Sequence, residues 1–242
     1  MGLSLDDVSR GLALEGADAA AFAALFTVRR SLAKSEFLSE EGDQPLHLSV
    51  LLDGFAQAVR LLPEGRQQSL ALFLPGDLLD LSAFVLGRSS VAICALSQAV
   101  VGQARKSAVE ALIAERPRAG RALWQAMARQ SLATEEWLVG LGRRTAFERL
   151  AHLICELMHR ERAAGLASQA NCIFPLTQRE LADMLGLSGV HVNRILQQLR
   201  SEGLIRLAQG RLTICDEARL NAAGGFQPDY LAAPPAFARK FE

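Results

Sequence analysis

Three side chains in the last third of the chain have the chemistry needed to read DNA bases. Val190, Asn193 and Arg194 lie within the stretch GVHVNRILQQL, three and four positions apart. A helix brings residues at such spacings onto one face. Arg can bind the guanine edge, Asn the adenine edge, and Val the thymine methyl group. The spacing predicts a helical face that reads bases, although an exposed Arg on a helix is in many proteins merely solvated.

The residues around this face predict two short helices joined by a turn. Thr177 can cap the first helix, with Glu180 completing a capping box. Gly186 can take the left-handed conformation that ends this helix, and Ser188 can cap the next one. The apolar positions expected to face inward are Leu181, Met184, Leu185, Val192, Ile195, Leu196 and Leu199. This order of signals is typical of a helix-turn-helix.

A hairpin is predicted directly after the second helix. The segment LIRLAQGRLTIC contains two short strand-like runs around Gln209 and Gly210. This hairpin would be a wing, with Arg206 and Arg211 near phosphate. The residues predicted to contact DNA are Thr177, Gln178, Ser188, Gly189, Val190, His191, Asn193, Arg194, Gln197 and Arg211.

A long helix is predicted after Pro117. Residues 118–139 contain no Pro, and a set of residues recurs at spacings of 3, 4, 3, 4 and 3: Trp124, Met127, Ser131, Thr134, Leu138 and Leu141. This pattern predicts a seam between two copies of the chain, with packing of the helix on its own domain as the alternative. A second helix is expected over about residues 145–164, with an apolar face formed by Leu150, Leu153, Ile154 and Leu157.

The first half of the chain has the sequence pattern of a mainly β-stranded domain. A short helix is expected over about residues 16–30. From about 35 to 106, short apolar runs alternate with Gly and Pro, which predicts short strands in a sandwich or barrel. LHLSVLL, AQAVRLL and SLALFL are strand-sized, and VAICAL and VVGQA could follow them. GLASQANCIF is predicted to be a loop.

The segment LTQRELADMLGLSGVHVNRILQQLRSEGLI resembles the Crp/Fnr family of bacterial regulators, and the resemblance extends over roughly residues 20–220. LLDGF, LPEGRQ and LPGDLLDL look like the turns of the family's β-roll. The resemblance implies an α+β fold with an N-terminal double-stranded β-roll of the cyclic-nucleotide-binding type, a long dimerisation helix and a C-terminal winged helix-turn-helix. The corresponding domain bounds are 16–117, 118–142 and 143–220, with a C-terminal extension over 221–242.

Partners follow from the same resemblance. It implies a homodimer whose recognition helices enter the major groove of double-stranded DNA at a palindromic site, and contact with RNA polymerase.

The sensor domain departs from the cyclic-nucleotide-binding pattern of the family, because the family's ribose-binding glutamate falls on Leu81, or on Asp80 if the register slips. The family's Arg-Ser pair falls on Ser89 and Ser90, with Arg88 one place early. The residues of this tentative effector pocket are Leu78, Asp80, Leu81, Arg88, Ser89 and Ser90.

A Leu at the ribose position offers neither a hydrogen bond nor a charge, so cyclic AMP is not expected as a ligand. The isolated Cys94, Cys155, Cys172 and Cys215 favour buried apolar roles over an iron–sulfur cluster. His47 is the one His before His152, which argues against haem. We therefore expect no cofactor and no metal, and either an unnamed small-molecule effector or control by protein abundance.

Composition restricts the remaining classes of function. The 242 residues carry no net charge, but residues 143–220 hold 11 Lys and Arg against 8 Asp and Glu, which is compatible with DNA contact. A secretory signal and an apolar run long enough to span a membrane are absent from the sequence, so a cytoplasmic protein is expected. Two alternatives remain open: a nucleotide-binding regulatory module acting through protein contacts, and a cupin-like enzyme, for which His47 alone supplies too few metal ligands.

Overall fold

The computed structural model describes residues 2–168 and 170–231. The first half of the chain begins with two short helices and continues as a set of strands with one short helix among them. The bounds are α1 Leu5–Gly11, α2 Gly16–Ala24, β1 Val28–Leu32, β2 Phe37–Ser39, β3 His47–Asp53, β4 Ala56–Leu61, β5 Gln67–Phe73, β6 Leu78–Leu79, α3 Leu81–Leu86, β7 Ala92–Ala95 and β8 Ala99–Arg105.

These strands form two antiparallel four-stranded sheets with the orders β1-β8-β3-β6 and β2-β7-β4-β5. Leu51 from the first sheet and Ile93 from the second belong to one buried apolar cluster. The expected β-roll is thereby confirmed, including the five strand-sized runs. The predicted helix over about residues 16–30 is longer than the helix in the structure. It ends at Ala24, and Val28 already pairs with Gln103 as the first residue of β1.

The second half of the chain is mainly helical. Its elements are α4 Lys106–Glu115, α5 Pro117–Arg143, α6 Ala146–Ala163, β9 Asn171–Ile173, α7 Gln178–Leu185, α8 Gly189–Ser201, β10 Ile205–Ala208, β11 Arg211–Ile214, α9 Glu217–Gly224 and a 3-10 turn Pro228–Leu231. The loop predicted for GLASQANCIF is wrong over its last part, because β9 pairs with β11 and makes the wing a three-stranded sheet.

Helix α9 crosses the boundary that was predicted at residue 220. Leu220 is fully buried, and α9 packs so closely on α6 that a Cβ at Gly224 would lie 2.6 Å from the backbone nitrogen of His152. The His152 ring also accepts or donates hydrogen bonds of 3.1 Å with the Gly224 carbonyl and the Tyr230 hydroxyl. Residues 221–231 therefore belong to the packed C-terminal domain. Residues 232–242 of the predicted extension lie outside the described residues.

The β-roll packs directly on the helix-turn-helix of the same chain. Leu72 and Leu96 of the β-roll share a buried apolar cluster with Leu181 of α7. The Nζ of Lys34 lies 3.0 Å from Oε1 of Glu180, and Gln67 donates a 2.6 Å hydrogen bond to Asp183. Since Glu180 and Asp183 face the β-roll, the remaining sides of the helix-turn-helix are left for other contacts.

A charged contact joins the two domains a second time. Arg160 of α6 donates hydrogen bonds to Asp77 of the β-roll at 2.5 Å and to Glu156 at 3.1 Å. Glu156 is 1% exposed and also accepts from the Trp137 indole and the Tyr230 hydroxyl. This network ties a β-roll turn to α5, α6 and the C-terminal turn.

Candidate DNA-binding surface

The first helix of the pair, α7, begins at the predicted capping box. Thr177 accepts a 3.2 Å hydrogen bond from the Glu180 backbone N–H, and the Glu180 carboxylate accepts a 2.6 Å bond from the Thr177 backbone N–H. Thr177 and Gln178 are exposed at this helix end. The free backbone N–H groups of a helix N-terminus favour a bound anion such as phosphate. Arg179, also exposed, is a further cation here that sequence reasoning did not select.

The turn between the helices forms as predicted. Gly186 adopts the left-handed conformation, with φ 64° and ψ 41°, and ends α7. Ser188 then accepts a 3.3 Å hydrogen bond from the backbone N–H of His191 and starts α8. These local signals fix where α8 begins and so which of its residues face outward.

Helix α8 divides into a buried and an open face. Val192, Ile195, Leu196 and Leu199 are at most 3% exposed, whereas Val190 is 85% exposed. Arg194 and Gln197 are exposed, while Gly189, His191 and Asn193 are half-buried. Within the part of the chain that the structure describes, Arg194 makes no hydrogen bond or ion pair. An Arg held on a rigid helix and free of intrachain partners can offer its two-pronged donor set to a base edge.

The wing lies after α8 as a tight hairpin. Gln209 and Gly210 both have positive φ, 51° and 71°, which is the conformation of a two-residue type I′ turn. Arg206 and Arg211 are exposed on its two strands. Arg211 also lies close enough to Glu161 to lower the pKa of that carboxyl, although burial dominates and raises it to about 7.

Glu161 anchors the third wing strand and was not singled out in the sequence. Its side chain is fully buried, and one carboxylate oxygen accepts a 3.0 Å hydrogen bond from the backbone N–H of Ile173 in β9. The other oxygen has no hydrogen-bond partner among the described residues. A lone acidic residue in a helix pattern carries no local signal of this role, because the role depends on the tertiary position of β9.

The six residues of the tentative effector pocket do not form one open pocket, because some are buried or bonded to each other and others are exposed. Leu78 and Leu81 are each 1% exposed and belong to the apolar cluster between the β-roll and the helices packed on it. Asp80 has a positive φ of 47° and precedes α3, a helix that sequence reasoning did not predict. Ser89 is buried and donates to Asp80, whereas Arg88 and Ser90 are exposed.

The seam residues of α5 do not all point the same way. Trp124 is 68% and Leu138 69% exposed, and Ser131 and Thr134 are exposed as well. Met127 instead packs at the edge of an intrachain apolar cluster, and Leu141 lies near Gly186 of the helix-turn-helix. The opposite side of α5, including Ala122, is buried. The helix therefore packs on its own chain along one side and leaves an open apolar side.

The four cysteines differ in their exposure to solvent. Cys94, Cys155 and Cys172 are buried and Cys215 is exposed. Burial raises the pKa of Cys155 and Cys172 to about 12, so both stay as neutral thiols at neutral pH. None of the helices in the described part of the chain combines the length and apolar character that a membrane crossing requires.

A β-roll followed by a long helix and a winged helix-turn-helix defines a class of DNA-binding regulators, and comparison with known proteins agrees. A cyclic nucleotide-binding domain matches residues 29–116 and a Crp-like helix-turn-helix domain matches residues 148–223. The chain is 30% identical over 195 residues to the nitrogen fixation regulation protein FixK of Bradyrhizobium diazoefficiens, covering 80% of this chain and 81% of that protein.

Two further relatives support the same assignment. The transcriptional activator protein FnrL of Cereibacter sphaeroides is 29% identical over 206 residues, covering 83% of this chain and 82% of FnrL. The solved structure of FixK2 from Bradyrhizobium japonicum superposes with a TM-score of 0.75 at 26% identity, covering 83% of this chain and 98% of that one. The chain belongs to the Crp/Fnr family and is a DNA-binding transcription regulator of that type.

Proposed function

We propose that the protein binds palindromic promoter sites as a homodimer, with one α8 helix in the major groove of each half-site. The observation that carries this proposal is the outward face of α8, on which the 85%-exposed Val190 lies one turn before Arg194. Arg194 is exposed and has no hydrogen-bond or ion-pair partner within residues 2–168 and 170–231. A helix of this diameter fits the major groove, where each base pair presents a distinct pattern of donors and acceptors.

Individual residues have separate roles in this proposal. Arg194 binds the edge of a guanine, while Val190 and Asn193 set the preference at neighbouring bases. Contacts that position the protein on the phosphate backbone come from the helix ends, the flank of α8 and the wing: Thr177, Gln178, Ser188, Gly189, His191, Gln197 and Arg211.

The homodimer rests on the open side of α5. Trp124 and Leu138 expose large apolar surfaces, and Leu132 and Val139, which the predicted seam did not include, are 45% and 50% exposed nearby on the same helix. Pairing of two α5 helices would remove these side chains from water, which is favourable in proportion to the area buried. Two copies related by a two-fold axis would match the symmetry of a palindromic site.

We also propose that the regulator works in the cytoplasm, contacts RNA polymerase, and does so without bound cyclic AMP, haem or an iron–sulfur cluster. Leu81 is buried at the position where the ribose-binding glutamate is expected. Among the described residues, His, Cys, Asp and Glu side chains do not gather in a group of three or more that could hold a metal ion. Either a small-molecule effector or the abundance of the protein then controls promoter binding.

The test is a selection of binding sites from random duplex DNA with the purified full-length protein, with and without cell extract. The expected product is a palindrome whose half-site centres are about one helical turn, roughly 34 Å, apart. Recovery of DNA with no common motif in both conditions would contradict sequence-specific binding. A motif that emerges only with extract would indicate that an effector is needed.

A further inference from the structure

A cleft of about 890 Å³ lies where the β-roll side of the molecule meets α6. Its walls come from α1, the turn over residues 74–77, α5 and α6. This volume is within the range of pockets that bind small molecules. The cleft is separate from the tentative effector pocket, with which it shares Leu78 alone. Its charged or titratable lining residues are Asp7, Arg10, Asp77, Arg129, His159 and Arg160.

Most of these charges are already neutralised by a neighbour. Arg10 forms an ion pair with Asp7, and Arg160 forms ion pairs with Asp77 and Glu156. Arg129 differs, because among residues 2–168 and 170–231 it makes no hydrogen bond and no ion pair. It lies half-buried on α5. Burial lowers the pKa of Arg129, and the Asp77 carboxylate opposes that shift, so the guanidinium remains charged at neutral pH.

The rest of the cleft offers apolar surface close to this charge. Leu3 and Leu166, which are half-buried, and Ile173, which is exposed, line it and can offer apolar surface to a ligand. Ala126 and Ala133 lie one turn before and one turn after Arg129 on α5 and line it as well. A partly desolvated guanidinium binds carboxylates and phosphates well, because their oxygens match its planar donor set. We propose that this cleft binds a small organic anion that carries an apolar body, with Arg129 binding the anionic group.

The position of the cleft between the two domains would let a bound ligand affect the DNA-binding surface. The Asp77–Arg160 ion pair forms part of the wall and joins the β-roll to α6. A ligand seated here contacts both domains at once and stabilises one arrangement of them. This regulatory effect rests on the proposed function, whereas binding of the anion does not.

Calorimetry on the full-length protein without DNA tests the site directly. The probes are octanoate, octyl phosphate, 1-octanol and inorganic phosphate. We expect saturable binding of octanoate or octyl phosphate at one site per chain, and the tighter of the two identifies the carboxylate or the phosphate as the preferred group. Arg129→Gln should weaken binding of the anionic probes about tenfold or more, since a charge-assisted hydrogen bond is lost. Arg129→Lys keeps the charge but loses the planar donor pair, so it should bind these probes more weakly than wild type and more tightly than Arg129→Gln.

Two controls separate charge recognition from general apolar binding. Arg121→Gln removes an exposed charge on the same helix outside the cleft and should leave every titration unchanged. Octanol binding should not respond to Arg129→Gln. The proposal is overturned if the wild type gives no saturable binding of either anionic amphiphile, if Arg129→Gln binds them as well as wild type, or if inorganic phosphate binds as tightly as octyl phosphate.

Operator affinity, measured with and without the tighter probe, tests the regulatory effect independently. A change of threefold or more that Arg129→Gln abolishes supports it. An unchanged operator affinity, with calorimetric binding intact, would overturn the regulatory effect and leave the anion site standing. Failure to select any operator would instead count against the proposed function.

Discussion

The hydroxyl of Ser89 donates a 2.6 Å hydrogen bond to Oδ2 of Asp80, and this bond joins the two ends of helix α3. Ser89 is further fixed by the backbone of a neighbouring loop, because its N–H donates to the Asp43 carbonyl at 2.8 Å. The hydroxyl and the backbone N–H of Ser89 are therefore both bonded within the protein, whereas Oδ1 of Asp80 is buried and has no hydrogen-bond partner among the described residues. In this arrangement Ser89 holds no free donor for a ligand phosphate.

We predict from this arrangement that cyclic AMP does not bind at micromolar concentration. Leu81 offers no hydrogen bond to a ribose hydroxyl, and a ligand phosphate would have to compete with the Asp80 carboxylate for Ser89. Isothermal titration of the full-length protein with cyclic AMP, with cyclic GMP as the matched comparison, checks this. A saturable titration with a micromolar Kd would show that α3 rearranges and that Arg88 is the phosphate partner.

The open side of α5 leads to a prediction about assembly. Leu138→Asp should disrupt the dimer, because burial of an unpaired charge in an apolar seam is costly. Leu61→Asp, at a 57%-exposed Leu in the β-roll, is the matched control and should remain dimeric. Sedimentation velocity over a range of protein concentrations measures both. A Leu138→Asp protein that sediments like wild type would place the dimer interface elsewhere.

Glu161 predicts how stability depends on pH. Burial raises its pKa from the ordinary value of 4.5 to about 7, so between these pH values the folded protein holds a proton that the unfolded chain has lost. Stability from this group is therefore greatest at low pH and decreases as pH rises through that window. Glu161→Gln should be more stable than wild type at pH 8, by up to about 3 kcal/mol.

The difference in unfolding free energy between wild type and Glu161→Gln should shrink toward zero below about pH 4.5, where the carboxyl is protonated in both the folded and the unfolded state. Urea unfolding at pH 5, 6, 7 and 8 measures it. Glu148→Gln offers a comparison in the first turn of the same helix, α6, where hydrogen bonds from Thr145 lower the pKa of the carboxyl. Parallel pH profiles for wild type and Glu161→Gln would mean that Glu161 titrates normally.

The local signals of the sequence were sufficient for the helix-turn-helix but not for the contacts between domains. Thr177, Gly186 and Ser188 cap helices through bonds to residues three or four positions away, so the sequence pattern alone predicts them. Strand β9 has three residues and an Asn at its start, and it exists because it pairs with β11. The Asp77–Arg160 contact joins residues 83 positions apart, and no local pattern indicates it.

The wing leads to a prediction about salt dependence. If Arg211 contacts only phosphate, Arg211→Ala should weaken operator and non-specific duplex by the same factor. It should also lower the slope of log affinity against log salt by about one unit. Fluorescence anisotropy with both duplexes at several salt concentrations measures this. A loss of affinity restricted to the operator would make Arg211 a base contact.

The base-reading role of Arg194 is the point on which the proposed function depends most. Binding-site selection with wild type, Arg194→Ala and Arg60→Ala, an exposed Arg of the β-roll, measures it directly. Loss of a bidentate guanine contact removes about 1–3 kcal/mol of discrimination. Arg194→Ala should therefore return a motif that is relaxed at one base pair in each half-site, whereas Arg60→Ala returns the wild-type motif. If Arg194→Ala and wild type select the same motif with the same stringency, Arg194 does not read a base and α8 does not lie in the groove as proposed.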